Sequence, residues 1–81
     1  MPTIHRWRGW RVQFYSSDRD EPAHVHVRKG DDQVKIWLHD LTIARAYGVS
    51  TRDLGAIIRM VQENRDDFQE AWDGYFEHRD Q

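Results

Sequence analysis

An 81-residue chain has room for one domain on one two-layer core, and no second domain is expected within it. Without cysteine it offers neither a disulfide framework nor a thiolate metal site; no apolar run nears the ~20 residues that cross a bilayer, and Met1-Pro2-Thr3 lacks the features of a secretion signal. A formal net charge of −2 argues against a general nucleic-acid coat, whose affinity comes from lysine and arginine neutralising phosphates; a soluble, cytoplasmic protein with no membrane partner is expected.

Ile4 to Arg8 and Trp10 to Tyr15 read as a hairpin around Arg8-Gly9, where glycine supplies the positive φ of a tight turn. That register sets Trp7 against Trp10, Arg6 against Arg11 and His5 against Val12. His5, Trp7, Trp10, Val12 and Phe14 then share the core face, while Arg6, Arg11, Gln13 and Tyr15 line the other. Arg6 opposite Arg11 is a like-charge pair that costs up to about 1 kcal/mol unless an anion lies between them or both splay into water. The polar segment Ser16 to Pro22 is expected to be the least ordered internal stretch and one wall of any site.

His24-Val25-His26-Val27 has a strict period of two, so on a strand the valines share one face and the imidazoles the other, about 7 Å apart at Cα. A second hairpin, Ala23 to Arg28 and Gln33 to His39 around Gly30-Asp31, pairs Val27 with Val34, Val25 with Ile36, His26 with Lys35 and His24 with Trp37. A two-residue shift keeps the same faces, so facing is better determined than register.

Residues 41–50 read as a connector, with Leu41, Ile43 and Ala44 either extending the last strand or opening a turn before Gly48. Ser50 is an N-cap with Asp53 three residues on, and Val49 and Leu54 stand at staple positions, so a helix begins at Thr51. Leu54, Ile57, Ile58, Val61, Phe68, Ala71, Trp72, Tyr75 and Phe76 keep helical spacing. An unbroken helix from 51 to 78 would run about 42 Å, too long for so small a domain to cover, so a break near Asn64 is expected. His39 and His78 end their elements, and His78 reads as a cation at a helix C-terminus.

These elements make a single α+β domain over 1–81: a four-stranded antiparallel sheet of two hairpins over 1–40, with the helical segment 51–81 packed on one face. Trp7, Trp10, Trp72 and Phe76 belong to the core. Residues 1–40 carry seven Lys/Arg, six Asp/Glu and four of the five histidines, against four Lys/Arg and eight Asp/Glu over 51–81, so the cationic potential lies in the sheet. Its open face carries Arg6, Arg11, Gln13, Tyr15, His24, His26, Lys35 and Trp37. Cations interleaved with aromatics are the ingredients of a single-stranded nucleic-acid platform.

Met1-Pro2-Thr3-Ile4, the Gly9 turn, Phe14-Tyr15-Ser16, Glu21-Pro22 before His24-Val25-His26-Val27, Lys35-Ile36-Trp37-Leu38, Glu63-Asn64-Arg65, Ala71-Trp72 and Tyr75-Phe76 together resemble the small bacterial domain of unknown function 4160 family. The resemblance covers nearly the whole chain. Members often carry a second proline before the first histidine, where Ala23 stands here. They are often encoded beside another small protein in pairs that look like toxin-antitoxin modules. The resemblance thus implies a toxin-like or partner-bound role, with a cognate antitoxin-like protein as partner, and hands over no catalytic residues.

Three functions compete. In an RNA-directed toxin, His24 and His26 are acid-base candidates, since one imidazole can accept a proton while a second donates one; Arg6, Arg11, Tyr15, Arg28, Lys35 and Trp37 would bind the RNA. In a non-catalytic module, the same face or an edge strand docks a protein or a second copy in a homodimer. A histidine-based metal site would join His24 and His26 to a third ligand such as His39, Asp20 or Glu21. The main expectation is RNA action with no cofactor and no metal. Alternating histidines also mark the histidine-triad hydrolases, but Arg28 replaces the third one.

Overall fold

A computed structural model of the chain describes residues 3–77. Five strands form one antiparallel sheet in sequence order, β1 Thr3–Trp7, β2 Trp10–Gln13, β3 His24–Lys29, β4 Asp32–Trp37 and β5 Ile43–Tyr47. They are followed by helices α1 Thr51–Glu63 and α2 Arg65–Glu77. The fold is α+β with an open sheet, as expected, but the sheet has five strands rather than four.

Both hairpin registers follow the turn chemistry. Trp7 pairs with Trp10, Arg6 with Arg11 and His5 with Val12, across a turn in which Arg8 and Gly9 both have positive φ, 50° and 82°. The second hairpin pairs His24 with Trp37, Val25 with Ile36, His26 with Lys35 and Val27 with Val34, with Gly30 at φ 59°.

The extra strand replaces the expected connector. Asp40 Oδ1 accepts hydrogen bonds from the Thr42 amide at 3.0 Å and hydroxyl at 2.7 Å, and Leu41 takes φ 61°, so the chain reverses and β5 pairs with the free edge of β4. Every residue of β5 is exposed, so no alternation of buried and polar positions marks it in the sequence.

The core lies between one sheet face and the helices. Val12, Phe14, Val25, Val27, Val34, Ile36 and Leu38 meet Ile57, Met60, Val61, Phe68, Trp72 and Phe76. Trp10 is buried, and Trp7 is partly buried against the same cluster. The Ser50 hydroxyl accepts from the Asp53 amide at 3.1 Å. Asn64 divides the helices as expected: its side chain donates to the Met60 carbonyl at 2.8 Å, and α2 restarts at once. Arg65 donates to the His39 carbonyl at 2.5 Å, tying the start of α2 to the turn after β4. His78 lies outside the described residues.

Candidate functional site

The second sheet face is built in rows by the register. Arg6 pairs with Arg11, Arg11 with Arg28, Arg28 with Gln33 and Gln33 with Tyr47, so one row crosses all five strands. The next runs Gln13, His26, Lys35, Arg45. The one beyond sets His24 beside Trp37.

This face is not open where the histidines stand. His24 is 0% exposed and His26 6%. The expected loop is a short 3₁₀ helix, Ser16–Asp20, with Asp18 buried. The Asp18 carboxylate accepts from the Tyr15 amide at 2.8 Å and meets His26 Nε2 at 3.0 Å. Because that carboxylate turns in toward the imidazoles, the segment is held rather than loose. Trp72 of α2 touches rings on both faces, Phe14 at 5.3 Å and His24 at 5.0 Å, and so closes the end of the sheet. Trp37 lies 5.3 Å from His24 on the other side.

His24 Nδ1 lies 2.8 Å from the Pro22 carbonyl. A carbonyl only accepts, so Nδ1 carries the proton and donates it. His24 Nε2 then faces Asp18 Oδ2 at 3.3 Å without forming a hydrogen bond, and it has no other partner. Asp18, His24 and His26 thus bring three ligand-type atoms within 4.8 Å of one another. His39, one of the third ligands considered from sequence, is exposed and turns to Asp40 at 3.4 Å. Glu21 accepts from Lys35 at 2.5 Å.

Around this cluster the other expected site residues fall into two groups. The Tyr15 ring packs at a tilt against His26, centroids 4.5 Å apart, and its hydroxyl accepts from Gln13 at 2.8 Å and Arg28 at 3.1 Å. Lys35 lies over Trp37 at 4.7 Å. Arg6 and Arg11 stand apart on β1 and β2, exposed, with no carboxylate partner among the described residues. Asp18, Arg45 and Tyr47 join the face without having been singled out from sequence. A signal for Asp18 does exist: an aspartate three residues after Tyr15 can accept its amide, the local pattern that turn and cap residues use.

A family model described as domain of unknown function (DUF4160) matches residues 9–73. The chain belongs to this family. The DUF4160 match takes in Asp18, His24, His26, Arg11, Arg28 and β5, while Arg6 precedes it. No curated protein and no solved structure matches the chain. Among the described residues, no helix of this DUF4160 domain is long and apolar enough to cross a membrane.

The electrostatics of the cluster make an acid-sensitive fold. Burial pushes the His26 imidazole below its ordinary value of 6.5, against the pull of Asp18. Burial alone would raise the Asp18 carboxyl, but the Tyr15 amide and the two imidazoles outweigh it and hold the group below 3.8. Both groups therefore bind protons more readily unfolded than folded. The stability they confer is complete above about pH 6.5 and is lost as pH falls through the folded values. Thermal melts of the DUF4160 domain should move to lower temperature from pH 7.5 to pH 5, and His26→Gln should flatten the upper part of that fall.

Proposed function

We propose that this DUF4160 domain binds single-stranded RNA across its second sheet face, as the RNA-directed component of a toxin-antitoxin-type pair. One observation carries the reading: Arg6, Arg11 and Arg28 stand in one row on three adjacent strands, and neither Arg6 nor Arg11 has a carboxylate partner among the described residues. Strands lie about 4.8 Å apart, so the row presents three guanidiniums across about 10 Å. Arg45 extends the charge in the next row beside Lys35, whose ammonium is paired with Glu21, and Tyr47, 65% exposed at the far end, offers a ring on which a base can stack. An overall acidic chain gains such a face because no carboxylate stands in the row, whose remaining members are Gln33 and Tyr47.

The buried histidines do not take the phosphate-facing pose expected from sequence. A general base must come within hydrogen-bond reach of the proton it takes, and His24 has no exposed surface. RNA contact is therefore assigned to the arginine row.

Fluorescence anisotropy with a single-stranded RNA oligonucleotide tests this. Three phosphate contacts give a log-log salt slope of about −2 on a single strand. The Arg6→Gln, Arg11→Gln, Arg28→Gln variant should lose most of that slope and bind at least about tenfold more weakly. Unchanged affinity and slope in the folded variant would remove the proposal.

A second reading, a protein-binding module, rests on β5. Its outer edge is unpaired within the described sheet, and the strand bears Ile43 and Tyr47, the two large exposed apolar side chains among the described residues. An antiparallel copy of β5 centred on Arg45 would face arginine with arginine, a repulsive pair, which favours an antitoxin-like partner strand carrying carboxylates over a homodimer. The purified chain should sediment as a monomer at tens of micromolar; a dimer would assign this edge to a second copy.

A further inference from the structure

We infer that Asp18, His24 and His26 form a binding site for one divalent transition-metal ion of the zinc class. The inference goes beyond RNA binding and does not depend on it. Three donors from two elements converge: Asp18 Oδ2 lies 3.3 Å from His24 Nε2 and 3.0 Å from His26 Nε2. Ligand atoms held 2.0–2.1 Å from zinc at tetrahedral angles stand about 3.3 Å apart. Two of the three separations already have that size, and all three donor atoms lie within 4.8 Å of one another, so the site closes on an ion once the two imidazole nitrogens draw together by up to about 1.5 Å.

The orientation of His24 is the second observation. Its Nδ1 proton is spent on the Pro22 carbonyl at 2.8 Å. That leaves Nε2 as a lone pair, buried, without a hydrogen-bond partner and aimed at a carboxylate oxygen. Two acceptors facing each other in a low-dielectric interior are costly. A cation between them turns that repulsion into two bonds. A ligating histidine whose other nitrogen donates to a backbone carbonyl is the usual outer-shell arrangement of metal sites, because it fixes both tautomer and ring orientation.

His26 joins by moving its ring proton from Nε2 to Nδ1, which conserves the proton and frees Nε2 to coordinate. Two imidazoles and one carboxylate, with no sulfur, suit zinc, cobalt, nickel or ferrous iron better than calcium or magnesium. Three protein donors leave a position for water or a ligand. Asp18 and His26 keep side-chain exposures of 9% and 8% while His24 has none, so the ion enters beside the 3₁₀ helix.

The test uses the full chain, stripped with a chelator and titrated with Co²⁺ as a spectroscopic probe and Zn²⁺ as competitor. Wild type should develop visible ligand-field bands that saturate at one Co²⁺ per chain and disappear with one equivalent of Zn²⁺, and Zn²⁺ should raise its melting temperature. His24→Ala risks unfolding, so the informative variants are His26→Gln and Asp18→Asn, checked by circular dichroism. Each should bind at least about a hundredfold more weakly, since even outer-shell changes cost 10–100-fold. His39→Ala should bind as wild type does. Absence of a saturable cobalt spectrum in folded wild type, or equal binding by His26→Gln and Asp18→Asn, would overturn the site and leave the cluster a proton-bridged network.

Discussion

Trp72→Ala is expected to remove about 3–5 kcal/mol of folding stability, the range for deleting a buried tryptophan. A domain of this length holds about 4–12 kcal/mol in total, so the variant should unfold near room temperature or fail to accumulate. The size of the effect follows from position. Trp72 is buried and packs on Phe14 and His24, with Phe76 at 4.3 Å, so its removal leaves a cavity in the core and uncovers the histidine cluster at once. Trp37→Ala is the comparison. Trp37 also touches His24 but is only half-buried, and its loss should cost less than half as much. Denaturant midpoints at unchanged m-value separate the two. Equal losses would mean that α2 does not close the end of the sheet. Trp72→Phe should recover part of the stability by keeping a ring there.

What was legible in the sequence divides along physical lines. The hairpin registers could be read because two features agreed, a positive-φ turn and a period of two that repeats on both sides of it. The helix start and the break at Asn64 could be read because caps and a lapse in the apolar stripe are local. Strand β5 could not, because Ile43-Ala44-Arg45-Ala46-Tyr47 is exposed throughout; it is a strand because β4 offers a free edge and Asp40 turns the chain toward it. The histidines show a third case. Alternation told that His24 and His26 share a face, which the ladder bears out. It carried no information on what covers that face, since Asp18 arrives from a polar segment and Trp72 from a helix 48 residues beyond His24. Composition marked Ser16 to Pro22 as loose. A buried carboxylate ties it to the sheet, together with Glu21 on Lys35 and the Pro22 carbonyl on His24.

Asp18→Ala tests that last statement, with an expected loss of about 2–4 kcal/mol. Two effects oppose each other. Deleting the carboxylate relieves the cost of burying a charge and the acceptor–acceptor contact with His24 Nε2, and it strands the Tyr15 amide and the His26 imidazole that had donated to it. The sign is decided by the two donors left without an acceptor, the Tyr15 amide at 2.8 Å and His26 Nε2 at 3.0 Å, and the Asp18 carboxyl, held below its ordinary value although burial alone would raise it, agrees with a net favourable setting for the charge. Removal is therefore destabilising. Asp18→Asn keeps an acceptor for the Tyr15 amide, which the carboxylate now holds at 2.8 Å, and gives up only the charge; it should fall between wild type and alanine. The damage should also be local. Arg19 lies in the 3₁₀ helix that Asp18 secures, so limited trypsinolysis should cut after Arg19 much faster in Asp18→Ala than in wild type. The core strands, whose valines pack against the helices, should remain protected. If alanine left both the denaturant midpoint and the Arg19 cleavage rate unchanged, the segment would be held by its backbone hydrogen bonds and its other side-chain contacts, such as Glu21 with Lys35. In that case the carboxylate would sit beside the histidines without joining the 3₁₀ helix to the sheet.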